Sequence, residues 1–317
     1  MNVLVTGATG FVGSNLVRTL VSKEHEVHII LRETSDKWRI KGVIEKVNLH
    51  HCDLKNKEKV RKVISEIAPQ MVFHLAVYGG LPHQQDQFQI IETNLSSTVN
   101  LLDACTRTGF DCFINTGSSS EYGIKPSRMK ETDVLEPTSD YGVTKAASTL
   151  YCQSVARRNS MAIFTLRLFS PYGYFEEVSR LIPTIILCCL KNKEVDLSSP
   201  NAVRDFVFIE DVMDAYLKVA ERADRINPGE IFNVGSGKQH TVKEVFDVVK
   251  RLTRYEKEPR WGSSSGRAGD MAKMWEADVD KIGKAVGWTP KTTLSDGVSK
   301  TIEWFKGYYG NQHQLRE

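Results

Sequence analysis

Tyr141 and Lys145 stand four residues apart in YGVTK. On a helix that spacing puts a phenol and an ammonium on one face. A neighbouring cation favours phenolate, so the tyrosine becomes a usable acid or base near neutral pH. Upstream, residues 116–123 read TGSSSEYG and bring a serine hydroxyl beside that tyrosine. At the start of the chain Gly7, Gly10 and Gly13 form G-x-x-G-x-x-G. Glycine lets the backbone turn tightly and approach a pyrophosphate, while a helix starting there offers free N–H groups to the anion. Such a triplet points to dinucleotide binding only where it joins a strand to a helix.

The surrounding elements supply that context. Residues 2–7 (NVLVTG) read as a buried strand ending at glycine. Residues 11–21 carry Val12, Leu16, Val17 and Leu20 on one helical face, and residues 26–31 (EVHIIL) make a second strand. Further strands are expected at 47–53, 71–76, 111–118 and 161–168, with helices at 58–67, 90–108 and 141–158 between them. This alternation predicts an α/β fold: a doubly wound parallel sheet of the Rossmann type, with helices on both faces and right-handed crossovers. After about residue 172 the alternation loosens. Helices are expected at 178–190, 211–224, 241–253 and 295–308, the third opening on a Thr241/Glu244 capping box, and residues 261–270 form a glycine- and serine-rich loop. The division that follows is a dinucleotide-binding domain at 1–170, with 204–235 returning to it. A smaller, mostly helical substrate lobe takes 171–203 and 236–317.

The second strand ends on Leu31, where an acidic residue would hold the ribose 2′-hydroxyl of NAD. Leucine cannot accept that bond, and Arg32 follows at once, suited to the 2′-phosphate of NADP. The reading favours NADP over NAD, with Glu33 the alternative ribose acceptor if the register is displaced. Asp53, ending the third strand, is placed to meet the adenine amino group.

Bulk composition narrows the class. Of 317 residues 41% are hydrophobic and 26% charged, and the net charge is +3, too mild for a nucleic-acid face. The six cysteines form no CxxC pair or zinc spacing, so no metal is expected and the thiols read as buried and reduced. The N-terminus lacks a signal-peptide pattern, and runs such as LIPTIILCCL are too short to span a bilayer. A cytoplasmic protein with no membrane and no nucleic-acid partner is expected.

Taken together, GATGFVG, HLA, SSSEYG, YGVTK, RDFVFIEDV and FNVGSG resemble the extended short-chain dehydrogenase/reductases, in their nucleotide-sugar epimerase, dehydratase and reductase branch. The likeness runs from residue 2 to about 305. It implies Tyr141 as acid/base and Lys145 on the nicotinamide ribose, lowering the tyrosine pKa. Ser118, four places before Tyr122 of the YG pair, would bond the reacting sugar oxygen. Gly7, Gly10, Phe11, Val12 and Gly13 would hold the pyrophosphate, with Asp53, Leu54, Leu75 and Ala76 along the cofactor and His74 structural. Ser119, Ser120, Ser170, Arg180, Arg204 and Arg267 would face the nucleotide sugar.

The departures from the family pattern are informative. Sugar-nucleotide 4,6-dehydratases carry an acid one or two places after the catalytic serine or threonine. Here those places are Ser119 and Ser120, and Glu121 should point elsewhere, so a dehydratase is disfavoured. Ser170 stands where the family has asparagine, which puts the usual contact there in question. Residues 74–86 (HLAVYGGLPHQQD) resemble the CDP-paratose and CDP-abequose synthase type of 4-ketosugar reductase, and Tyr78 and His83 would then line the sugar pocket. The resemblance thus implies NADPH-dependent reduction of the C4 keto group of a nucleotide-activated 4-keto-6-deoxyhexose. The alternatives are an NAD-dependent 4-epimerase of the UDP-glucose type and a non-catalytic NAD(P)-binding sensor. It further implies a homodimer built on helices 90–108 and 141–158.

Overall fold

In the computed structural model, which describes residues 1–263 and 272–313 with side chains to 308, the first apolar run becomes β1 (Asn2–Thr6). Then come α1 (Phe11–Ser22), β2 (Glu26–Leu31), β3 (Asn48–His51), α2 (Lys57–Ile67) and β4 (Met71–His74). Val3, Leu4 and Val5 are all fully buried, as a strand covered on both faces requires. Val3 and Val5 join one apolar cluster and Leu4 another, because successive side chains of a strand leave on opposite faces. Each such side chain contributes about 1.5–3 kcal/mol by leaving water.

The expected helix over 90–108 is broken into α3 (Gln87–Ile91), a π-helical turn (Glu92–Ser96) and α4 (Ser97–Thr108). Asn94 lies in that turn. Its side chain bonds both backbone groups of Tyr78, each at 2.9 Å, and Thr144 Oγ1 at 3.0 Å. Its carbonyl accepts from Thr98 Oγ1 at 2.7 Å and from Ser148 Oγ. The helix widens there because Asn94 holds the segment after β4 in place, a task local periodicity cannot show.

β5 (Cys112–Ser118), α5 (Asp140–Asn159) and β6 (Ile163–Leu168) complete the alternation. β7 (Ser170–Tyr172), α6 (Leu181–Leu190), β8 (Asp196–Leu197), β9 (Val203–Phe208), α7 (Ile209–Glu221) and β10 (Ile231–Val234) follow. The chain then forms β11 (Gln239–Thr241), α8 (Val242–Thr253), β12 (Arg260–Trp261), α9 (Asp280–Val286) and α10 (Leu294–His313). The main sheet is seven-stranded and parallel in the order β10-β6-β5-β4-β1-β2-β3. The chain winds outward from β1 to β3 and returns to β4 on the other side of β1. The crevice for a ligand therefore opens at the carboxyl ends of β1 and β4.

Several strands carry no signal strong enough to be read in advance. β10 adds to the sheet beside β6, with Ile231 opposite Thr165. α7 packs on α1 and β5. β7, β9 and β11 form a three-stranded sheet, and β8 pairs with β12. The capping box that opens α8 is present: Thr241 Oγ1 accepts from Glu244 N–H at 3.0 Å, and the Glu244 carboxylate accepts from Thr241 N–H at 2.7 Å. Five of the six cysteines are buried. No described helix is long and apolar enough to cross a membrane.

Candidate active site

A cleft of about 1200 Å³ opens where the strand order reverses, between the carboxyl ends of the main sheet and the segments after β6. Gly7, Gly10, Phe11, Val12 and Gly13 form its floor at one end. Two of these glycines are required sterically. Gly7 has φ +69°, and a Cβ there would lie 2.4 Å from the Leu75 carbonyl carbon; a Cβ on Gly13 would lie 2.2 Å from Gly7 O. Gly10 caps α1 without a side chain, so the first N–H groups of the helix stay available to an anion. This cradle fits the pyrophosphate of a dinucleotide. Leu75, Ala76, Asp53 and Leu54 line the adjoining wall.

At the end of β2, Arg32 is exposed and lines the cleft. Glu33 points away from it, its carboxylate 3.3 Å from His51 Nδ1. Arg39 joins Arg32 on the cleft wall, although its guanidinium is paired with Glu177 at 3.0 Å.

α5 carries the proposed acid/base. Ser139 caps it, accepting from Gly142 N–H at 3.1 Å, so Tyr141 enters the cleft from the first helical turn. Ser118, at the end of β5, lines the cleft with Tyr141, and its hydroxyl acts on the phenol. Burial pushes that phenol above its ordinary range, while the Ser118 hydroxyl and the Arg180 guanidinium draw it back down and Glu121 pushes it up. Lys145, one turn further along, is buried; burial draws its pKa down and the Glu121 carboxylate holds it up. The cation that acts on the phenol here is Arg180, which the sequence had assigned only to substrate, and not Lys145, which the resemblance gave that role. Lys145 lies beneath the cleft rather than among its lining residues.

Beneath Ser118 lies a buried polar network. Glu121 accepts from Ser118 N–H at 2.8 Å, Thr149 Oγ1 at 3.1 Å and Arg167 Nε at 2.7 Å. Arg167 also donates to Tyr122 Oη at 2.9 Å, and Tyr122 donates to Asn233 at 2.6 Å. Glu121 has no exposed surface and is fully engaged, so it is not an acid for substrate chemistry. His74 is likewise structural. It bridges Thr6 Oγ1 at 2.7 Å and Thr98 Oγ1 at 2.9 Å, and burial drives its pKa down to about 3.

Of the residues assigned to substrate, Ser119, Ser120, Ser170, Arg180 and Arg204 line the cleft. Trp275 Nε1 donates to Ser119 Oγ at 3.2 Å, and the Arg204 guanidinium sits 5.1 Å from the Trp275 ring centre. Tyr78 and His83 are not among the cleft-lining residues. Asn94 clamps the Tyr78 backbone, His83 is exposed on the following loop, and Gly79, Gly80, Leu81 and Pro82 take the wall instead. Arg267 falls outside the described residues. The sequence reading passed over Arg39, Glu176 and Trp275. None belongs to a periodic run or a short motif, and each reaches the cleft through long-range packing.

Comparison with known proteins agrees with this geometry. The model of the NAD dependent epimerase/dehydratase family matches residues 3–235. The UDP-glucose 4-epimerase of Mycolicibacterium smegmatis is 26% identical over 325 residues, covering 96% of this chain and 99% of that protein. The structure of the UDP-glucose 4-epimerase of Thermotoga maritima with UDP-glucose superposes with a TM-score of 0.88 at 27% identity, covering 98% and 100% of the two chains. That of the Thermus thermophilus UDP-glucose 4-epimerase complex with NAD gives 0.85 at 28%, covering 97% and 99%.

Proposed function

The chain belongs to the NAD dependent epimerase/dehydratase family, and from that premise we propose that it is an NADP-linked reductase of a nucleotide-activated 4-keto-6-deoxyhexose. The observation that carries the choice is at the end of β2. Arg32 faces the cleft, where a 2′-phosphate would find a positive charge, while Glu33 is turned onto His51. The engagement of Glu121 with Arg167 and Ser118 supports setting a dehydratase aside.

Bound NADPH would supply the hydride for C4. The protein's part is acid–base and positional. Tyr141 gives its Oη proton to the oxygen that becomes the alkoxide, and Ser118 donates to the same oxygen. Lys145 offers its ammonium to the nicotinamide ribose. Arg180 and Arg204 orient the diphosphate and nucleotide, so that binding energy remote from C4 aligns the sugar. From the substrate lobe at 171–203 and 236–317, Tyr172, Glu176, Arg180, Leu197, Val242 and Trp275 line the cleft. Phe88, 80% exposed on α3, and Val143 and Leu150 on α5 form apolar surface suited to a homodimer through these helices.

A second reading, an NAD-linked 4-epimerase, is favoured by the relatives. The Mycolicibacterium and Thermotoga proteins are UDP-glucose 4-epimerases, and the Thermus one is seen with NAD. The two separate in one assay: denature the purified protein, identify any released nucleotide, and follow NADPH with dTDP-, CDP-, UDP- and GDP-4-keto-6-deoxysugars. Stoichiometric NADPH loss is the expected result. Retained NAD without net consumption would replace the reductase with the epimerase.

A further inference from the structure

Residues 173–177 have unusual backbone for a cleft wall. Gly173 sits at φ +138°, where a Cβ would fall 2.6 Å from Ile209 Cγ2. Phe175 sits at φ +64°, a left-handed conformation that an aromatic residue adopts only when its surroundings impose it. The imposition is visible. The Tyr174 carbonyl accepts from Asn15 Nδ2 at 2.9 Å, and the Phe175 carbonyl from Arg39 Nε at 2.8 Å. Glu177 pairs with Arg39, and the Phe175 ring packs against Trp304 and lies 4.2 Å from the Arg18 guanidinium. Glu176's neighbours are thus tied to α1, the segment after β2 and α10. Glu176 itself lines the cleft at 6% exposure. Within the chain its carboxyl accepts only a long hydrogen bond from Gly173 N–H, 3.3 Å, among the described residues.

Glu176 shares Arg180 with the reacting centre. The Arg180 guanidinium acts on both Glu176 and Tyr141, and it donates to Gly80 O at 2.8 Å. A Cβ on Gly80 would lie 3.9 Å from both Arg180 Nη2 and Tyr141 Cε2. A buried carboxyl with spare hydrogen-bonding capacity therefore lines the same cleft as the acid/base. We propose that Glu176 contacts the substrate, its carboxyl O–H donating to a ring or hydroxyl oxygen of the sugar, and that it is a specificity-determining residue of this cleft. The inference rests on the nucleotide-sugar reading above.

The groups facing Glu176 fix its protonation. Burial pushes its pKa up to about 8; Arg180 and the Gly173 N–H draw it down, Glu177 pushes it up, and the neighbouring Tyr172 phenol is itself raised by burial. Below about 8 the carboxyl is a neutral acid that donates O–H to a sugar oxygen. Above it the proton is lost, leaving a buried carboxylate that only accepts, so sugar affinity falls as pH rises.

The test measures Kd by calorimetry with NADP⁺ bound, for UDP-, dTDP-, CDP- and GDP-glucose and for the matching diphosphates, at about pH 6.5 and about pH 9. The affinity ratio of sugar nucleotide over diphosphate isolates the sugar. It should fall by about tenfold between the two pH values in the wild type. In Glu176→Gln, whose amide keeps an N–H donor without titrating, it should change by less than about twofold. A pH-independent ratio in the wild type, or an equal fall in both proteins, would overturn the role of Glu176 alone. Loss of NADP⁺ rather than of sugar affinity in the variant would move the contact to the cofactor and overturn it too. Failure of all four nucleotides to bind would overturn the nucleotide-sugar reading and this inference together.

Discussion

Replacing Glu121 by Leu tests whether the ion pair beneath Ser118 is as coupled as its geometry requires. The Glu121 and Arg167 side chains are 0% and 2% exposed and 2.7 Å apart. Removing the carboxylate leaves a buried guanidinium with only the Tyr122 hydroxyl as acceptor among the described residues. Breaking such a pair costs about 3–5 kcal/mol, against a total stability of about 5–15 kcal/mol for a typical protein. An unfolding entropy of roughly 2.1 cal/mol/K per residue over 317 residues converts this to a fall in Tm of about 4–8 °C. The double variant Glu121→Leu/Arg167→Met removes both charges and should recover the part of the loss due to the uncompensated guanidinium, Tyr122 keeping Asn233 at 2.6 Å. It should not recover the part due to Ser118 N–H and Thr149 Oγ1, which lose Glu121 as acceptor. The assay is a double-mutant cycle by thermal and urea unfolding. Two results would refute the reasoning: a single-variant loss below about 1 kcal/mol, or losses that simply add. Either would mean that the interior solvates the guanidinium without its partner.

Tyr141→Phe should leave cofactor affinity within about twofold and cut turnover by roughly 10²–10⁴, measured by cofactor titration and steady-state rates; retained turnover would remove the acid/base role. Arg32→Ala should weaken NADP by about tenfold or more and NAD by less than about twofold, with the difference shrinking as salt rises. Equal losses would place the ribose contact elsewhere. The Ser118 hydroxyl holds the Tyr141 phenol down, so Ser118→Ala raises its pKa. In the oxidative direction, which needs phenolate, the rising limb of the kcat profile should then move to higher pH. An unmoved limb would show that Ser118 does not touch the phenol in the working enzyme.

Local chemistry made much of the fold legible. The glycine spacing, β-branched runs and helical apolar stripes place β1, α1, β2, α2 and α5 to within a few residues, because each signal lies inside one short segment. The i, i+4 relation of Tyr141 and Lys145 is of the same kind, as is the Thr241/Glu244 box. The family resemblance points to Ser118 through its distance from Tyr122, and the sequence points to Arg32 through its place after β2; both line the cleft. It could not give the direction of Glu33, which depends on His51 from the neighbouring strand.

What tertiary structure decided are the relations between distant segments. The Arg167–Glu121 pair spans 46 residues, Trp275 and Ser119 are 156 apart, and Arg39 and Phe175 are 136 apart. Periodicity carries no information about such pairs. The π-helical turn at Asn94 is set by Tyr78, Thr144 and Ser148, and β10 joins the sheet only because β6 offers its edge. Sequence fixes which residues can do chemistry and which local element bears them. Only packing decides which of them share one cleft, since a side chain's direction and protonation depend on what is folded against it.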